Sequence, residues 1–118
     1  NPQIATVGLT EAQAKHQGYQ VKANLLPLEY VPRALAARDT RGFIKMVADE
    51  TSGRILGVHV LAAGAGEVIQ TATLAVKFGL KISDLTETLF PYLTQVEGIK
   101  LAALSFSKDV EKLSCCAV

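Results

Sequence analysis

The stretch Phe43-Ile44-Lys45-Met46-Val47-Ala48-Asp49-Glu50-Thr51-Ser52-Gly53-Arg54-Ile55-Leu56-Gly57-Val58-His59-Val60-Leu61 decides the fold. Residues 43–48 and 54–61 are rich in β-branched and large apolar side chains and read as two strands. The five residues between them read as a hairpin turn, because Gly53 can take the positive φ that a tight turn asks for. His59, set among Val and Leu, reads as a packed or edge-facing side chain more readily than as a ligand.

Upstream, Ile4 to Gly8 reads as a strand ending in a turn, and Thr10-Glu11-Ala12-Gln13 fits a capping box that opens a helix ended by Gly18. Tyr19 to Glu29 is extended but interrupted by Pro27, which marks an edge strand or an irregular one. Pro32 is expected to break any regular element at its start. Arg33, Arg38 and Arg41 either bind an anion or pair with local carboxylates, the second being the commoner outcome.

Downstream, Gly64-Ala65-Gly66-Glu67 opens the longest helix, which runs through Phe78 to a stop at Gly79. It is apolar on more than one face, as expected for a helix sandwiched between elements or placed at a subunit interface. Its two glycines resemble a phosphate-binding turn, but the third glycine is missing and Glu67 would repel a phosphate, so no nucleotide site is expected. Ser83 is expected to cap a short helix, Leu89 to Thr94 to form a loop held by Pro91, and Gln95 to Phe106 to form a last helix with Gly98 in its first turn. Hairpins followed by helices make this an α+β fold, an antiparallel sheet covered by helices on one face.

The totals agree. The chain has 118 residues, enough for one domain with a core, and is 49% hydrophobic with a net charge of +1. Lys and Arg are spread among acidic residues, which argues against nucleic acid and membrane surfaces as partners. No apolar run is long enough for a bilayer and the first residues lack a signal-peptide pattern, so a cytoplasmic location is expected.

The only cysteines are adjacent, in Leu113-Ser114-Cys115-Cys116-Ala117-Val118. One reading is an untethered tail with incidental thiols; the other is a pair that captures a soft metal ion or exchanges disulfides with a group outside this domain. A bridge between neighbours would be strained and readily reduced, since consecutive Cα atoms lie only about 3.8 Å apart. That favours a functional thiol pair in a reducing compartment.

Three segments carry a resemblance: Pro2-Gln3-Ile4-Ala5-Thr6-Val7-Gly8-Leu9-Thr10-Glu11, Gly53-Arg54-Ile55-Leu56-Gly57-Val58-His59 and Gly64-Ala65-Gly66-Glu67-Val68-Ile69-Gln70. Together they resemble the C-terminal dimerisation domain of the pyridine nucleotide-disulfide oxidoreductases, over essentially the whole chain. The resemblance implies a dimerisation domain over 1–112 and a mobile tail over 113–118.

Family members carry a His-Pro-Thr-x-x-Glu stretch whose histidine is the acid-base partner of a redox disulfide and whose glutamate orients it. Here Tyr92 stands in the histidine position and Glu97 is retained. A phenol with a pKa near 10 donates a hydrogen bond or offers its oxygen to a cation; it does not shuttle protons near neutrality.

Tyr92 and the terminal cysteines, with Val31-Pro32-Arg33-Ala34-Leu35-Ala36 and Val96-Glu97-Gly98, are similar to the mercury-reducing members of the family. That resemblance implies a homodimer using FAD and NADPH to reduce Hg(II), with Tyr92, Cys115 and Cys116 as catalytic and metal-contacting residues. The cysteines would collect Hg(II) from its thiol complexes and pass it to an inner pair beside the partner subunit's flavin. The flavin- and NADPH-binding regions and the inner pair are absent from these 118 residues, so the chain is expected to be one part of a longer enzyme, inactive alone. The alternatives are a family member acting on another thiol or disulfide, or a free-standing metal-scavenging module.

Overall fold

In the computed structural model, which describes residues 1–107, the hairpin is the centre of the molecule. Strand β3 (Phe43–Asp49) pairs antiparallel with β4 (Ile55–Ala62) in the register Ile44 opposite Val60 and Met46 opposite Val58. The turn closes on Asp49, whose carbonyl accepts from Gly53 N–H at 2.7 Å and whose carboxylate accepts from Ser52 Oγ at 2.8 Å; Gly53 has φ 79°. β1 (Gln3–Gly8) adds to the far side of β4 and β2 (Val21–Pro27) to the far side of β3. The sheet order is therefore β1-β4-β3-β2, and the proline-bearing strand is at an edge, where a missing N–H is tolerated.

Two helices cover one face. α3 (Ala65–Lys77) lies over β1 and β4, and α5 (Glu97–Leu104) over β2 and β3. The core between them and the sheet is built from Ile44, Met46, Ile55, Val58 and Val60 on the strands and Val68, Ala72, Ala75, Ile99 and Leu101 on the helices. Small residues on α3 and a glycine on α5 let the helices approach. A Cβ at Gly98 would collide with the side chains of Ile44 and Val31.

α1 (Glu11–His16) follows β1 and packs on the opposite face of the sheet, with buried Ala14 against Val47 and Leu56. A register shift after Val47 makes Leu56 the extra residue of a β-bulge, which sends its side chain to that second face. The capping box is present: Thr10 Oγ1 accepts from Gln13 N–H at 3.1 Å, and Gln13 Oε1 accepts from Thr10 N–H at 2.9 Å. The chain passes so close over Gly57 that any side chain there would overlap the Leu9 backbone.

Other expectations are adjusted. Pro32 does not prevent a helix but begins one, α2 (Pro32–Ala36), at the first position, where its missing N–H has no intrahelical partner to lose. α4 (Ile82–Thr86) is capped at Lys81, not at Ser83: Asp84 Oδ2 accepts from Lys81 N–H at 2.8 Å, which satisfies an end donor and starts the helix before Ser83. α5 is shorter at both ends than the 95–106 expected from periodicity. Its C-terminal end is fastened to the edge strand by Asn24 Nδ2, which donates to both Ser105 O and Ser105 Oγ at 2.8 Å.

Candidate functional site

Residues 87–96 connect α4 to α5 and contain Tyr92, and polar side chains fasten this loop to the body. Lys100 Nζ donates to Thr88 O at 2.8 Å, Thr94 Oγ1 to Pro91 O at 2.9 Å, and Gln95 Nε2 to Ala63 O at 3.4 Å. Thr94 Oγ1 also accepts from Glu97 N–H at 3.3 Å, so one hydroxyl serves both the loop and the first turn of α5. Between them Leu93 adopts a left-handed backbone, φ 65°.

Tyr92 and Glu97 point in different directions. Tyr92 is 54% exposed, whereas Glu97 is 3% exposed and fully within the molecule. Burial raises the pKa of the Glu97 carboxyl above the usual carboxylate value; a hydrogen bond from Leu93 N–H and the positive charge of Lys100 oppose that shift without cancelling it. Glu97 Oε1 and Gln95 Oε1 are both buried without a hydrogen-bond partner. Unpaired acceptors inside a protein are expensive, and these two, within three residues of each other, are the buried unpaired side-chain acceptors found among the described residues.

Beside the loop lies a cleft of about 380 Å³, lined by Gly64, Glu67, Val68 and Thr71 of the α3 start and by Thr94, Gln95 and Val96. The α3 start does not favour an anion, since its first turn carries Glu67.

Tyr92 lies in this loop, and Glu97 is the first residue of α5. Cys115 and Cys116 lie outside the described residues, as do the charged segment 108–113 and the boundary at residue 112. Among the described residues no group of three His, Cys, Asp or Glu side chains could hold a metal ion. His59 is a packed side chain, its Nε2 3.0 Å from Leu9 O. Arg41 pairs with its near neighbour Asp39 through two contacts of 2.7 and 2.8 Å, which lowers the Asp39 pKa to about 2. No described helix is long and apolar enough to cross a membrane.

Sequence reasoning missed the left-handed Leu93 and the Thr94–Glu97 hydrogen bond beside it. A signal was available: Thr94-x-x-Glu97 is a capping-box pattern. Thr94 Oγ1 accepts from Glu97 N–H as that pattern asks, although α5 begins only at Glu97.

The chain is 62% identical over 117 residues to mercuric reductases of Lysinibacillus sphaericus and Bacillus cereus; each match covers 99% of this chain and, respectively, 21% and 18% of the relative. The chain thus spans about a fifth of the length of the curated relatives it matches. Among solved structures, the HOCl-induced flavoprotein disulfide reductase RclA from Escherichia coli superposes with a TM-score of 0.83 at 31% identity, covering 91% of this chain and 24% of that one. The model of the pyridine nucleotide-disulphide oxidoreductase dimerisation domain matches residues 1–103, and the chain belongs to that family.

Proposed function

We propose that this chain is the C-terminal dimerisation and Hg(II)-handover domain of a flavoprotein mercuric reductase that reduces Hg(II) to Hg(0) with NADPH. The observation that carries the reading is the 62% identity to mercuric reductases across 99% of the chain. The loop adds support, since it presents a phenol, not an imidazole, on the surface beside a buried glutamate.

In this reading Cys115 and Cys116 take Hg(II) from small thiols. Each bond from mercury to a small thiol breaks as a bond to a cysteine sulfur forms, and the departing thiolate carries away the cysteine proton. No electrons move in that step, and the softness of the ion makes thiolate its preferred ligand. Tyr92 offers a phenolic oxygen that steadies the ion as it passes to an inner thiol pair of the partner subunit. The tail over 113–118 serves as the carrier, the body over 1–112 as the dimerisation domain.

FAD and NADPH supply the reducing electrons in the complete enzyme and are held by other regions of it; no residue of this chain is assigned to them. The enzyme acts as a cytoplasmic homodimer on Hg(II)-thiol complexes, without nucleic acid or membrane partners, and this chain alone is inactive. Exposed apolar side chains at α3, Leu74 on it at 47% and Phe78 just after it at 67%, suit a helix that meets another protein surface.

The test is the complete flavoprotein supplied with NADPH and Hg(II) in excess thiol. Hg(II)-dependent NADPH oxidation with release of elemental mercury vapour is expected. Oxidation that proceeds equally without Hg(II), or with a disulfide alone as acceptor, would overturn the reading.

A further inference from the structure

The two outer edges of the sheet differ in chemistry. β2 carries Lys22 and Pro27, and the Asn24 side chain ties it to Ser105, just past the end of α5, at 2.8 Å. Lysine and proline are common means of keeping an edge strand from pairing with a further one. β1 has neither. Its six residues, Gln3-Ile4-Ala5-Thr6-Val7-Gly8, carry no charge and no proline, and Gln3, Ile4, Thr6 and Gly8 are exposed.

The ladder shows which backbone groups are left open. Leu9 N–H donates to Leu56 O at 2.9 Å, and the register runs on two residues at a time through Val7 opposite Val58, Ala5 opposite Val60 and Gln3 opposite Ala62. Those are the hydrogen-bonded positions of an antiparallel pair. The amides and carbonyls of Ile4 and Thr6 therefore point away from β4, to the side where the sheet ends.

The side chains of the same two residues border a cavity. Ile4, 79% exposed, and Thr6 form one wall of a space of about 220 Å³ whose other walls include Phe43, His59 and Leu61. Its lining is almost wholly apolar, and it lies apart from the Val47 and Leu56 contact that α1 covers through Ala14. A strand added to β1 would use both features: main-chain hydrogen bonds to Ile4 and Thr6, and one alternate side chain in the cavity.

We propose that the outer edge of β1 is a strand-addition site. In the complete protein it is filled by an extended, uncharged stretch of the same polypeptide, outside these 118 residues, with an apolar side chain seated beside Ile4 and Thr6. The chain spans about a fifth of the length of its curated relatives, so a large remainder of polypeptide is at hand. Attachment within one chain raises the effective concentration of such a segment far above that of a free partner. A second copy has a different surface to meet, the α3 side with Leu74 and Phe78. The inference rests on the chain being one part of a longer protein and is independent of mercury chemistry.

The experiment uses the complete flavoprotein. Amide hydrogen exchange, resolved by residue, is measured along β1. Separately, the variant Thr6→p-benzoylphenylalanine is photo-crosslinked, with bound flavin as the check on folding. The Ile4 and Thr6 amides are expected to exchange on the order of 100-fold or more slowly than in an unstructured chain, as those of Ala5 and Val7 do within the ladder. The crosslink is expected within one chain, to a segment outside residues 1–118.

Ile4 and Thr6 exchanging at unstructured rates beside slow Ala5 and Val7 would show a free edge and overturn the proposal. So would a crosslink between two chains, or the lack of one to a segment outside residues 1–118. Should the variant not fold, exchange in the unaltered protein decides. Slow Ile4 and Thr6 amides in an enzyme without Hg(II)-dependent turnover would end the function reading and leave this inference standing.

Discussion

In the β3–β4 hairpin, order comes from interlocked apolar side chains, whereas in the 87–96 loop it comes from a few side-chain hydrogen bonds to backbone carbonyls. The hairpin core contains no polar side chain among its buried members, and its backbone groups are consumed by the ladder. The loop and the first residue of α5 leave two buried acceptors without partners, Gln95 Oε1 and Glu97 Oε1. The contrast separates a region ordered by apolar packing from one ordered by polar contacts that leave buried acceptors unpaired.

The largest expected effect sits in the hairpin. Ile44→Ala removes a fully buried side chain under Val31 and Gly98 and should destabilise the chain by about 2–5 kcal/mol, read by urea denaturation of the 118-residue protein. A loss under about 1 kcal/mol would mean that the hairpin is not the mechanical centre described here.

The loop should respond to pH instead. Because burial raises the Glu97 pKa above its ordinary 4.5, the folded chain holds that proton more tightly than the unfolded one. Below pH 4.5 both states are protonated and no penalty applies; as pH rises from 4.5 through the raised value, the unfolded state ionises first and stability falls. Glu97→Gln cannot ionise, so its stability relative to wild type should improve across that window and be flat below it. A difference independent of pH would remove the buried carboxyl from the account.

The smallest effect belongs to a surface pair that lies in neither region. Asp39, lowered from 3.8 to about 2 by the Arg41 guanidinium, contributes stability above pH 3.8 that disappears as pH falls through about 2. Both side chains face solvent, so added salt should screen the contribution. Asp39→Asn should differ from wild type only above pH 2 and only at low ionic strength. A difference that survives molar salt would show the pair to be more than a surface contact.

The sequence made the hairpin, the Thr10 capping box and the glycine stop at the end of α3 readable, since each rests on local chemistry that a few residues determine. The second-face packing of α1 was hidden, because it depends on a bulge at Val47 that carries Leu56 to the other side of the sheet. Ser83 misled because Asp84 captures the Lys81 amide and starts α4 earlier. Tyr92 and Glu97 were identifiable from their spacing and the family resemblance. That one is exposed and the other buried, with Leu93 strained between them, is a property of the packed chain and not of the motif. The placement of Cys115 and Cys116 lies outside the described residues, so their role rests on residue type and on relatives.

The central claim, that the terminal thiols of this domain take up mercury, is tested most directly by titrating the 118-residue chain with Hg(II) in the presence of a competing small thiol, with and without Cys115→Ala and Cys116→Ala together. The account predicts one equivalent bound per chain and its loss in the double variant; equal binding by both proteins would contradict it.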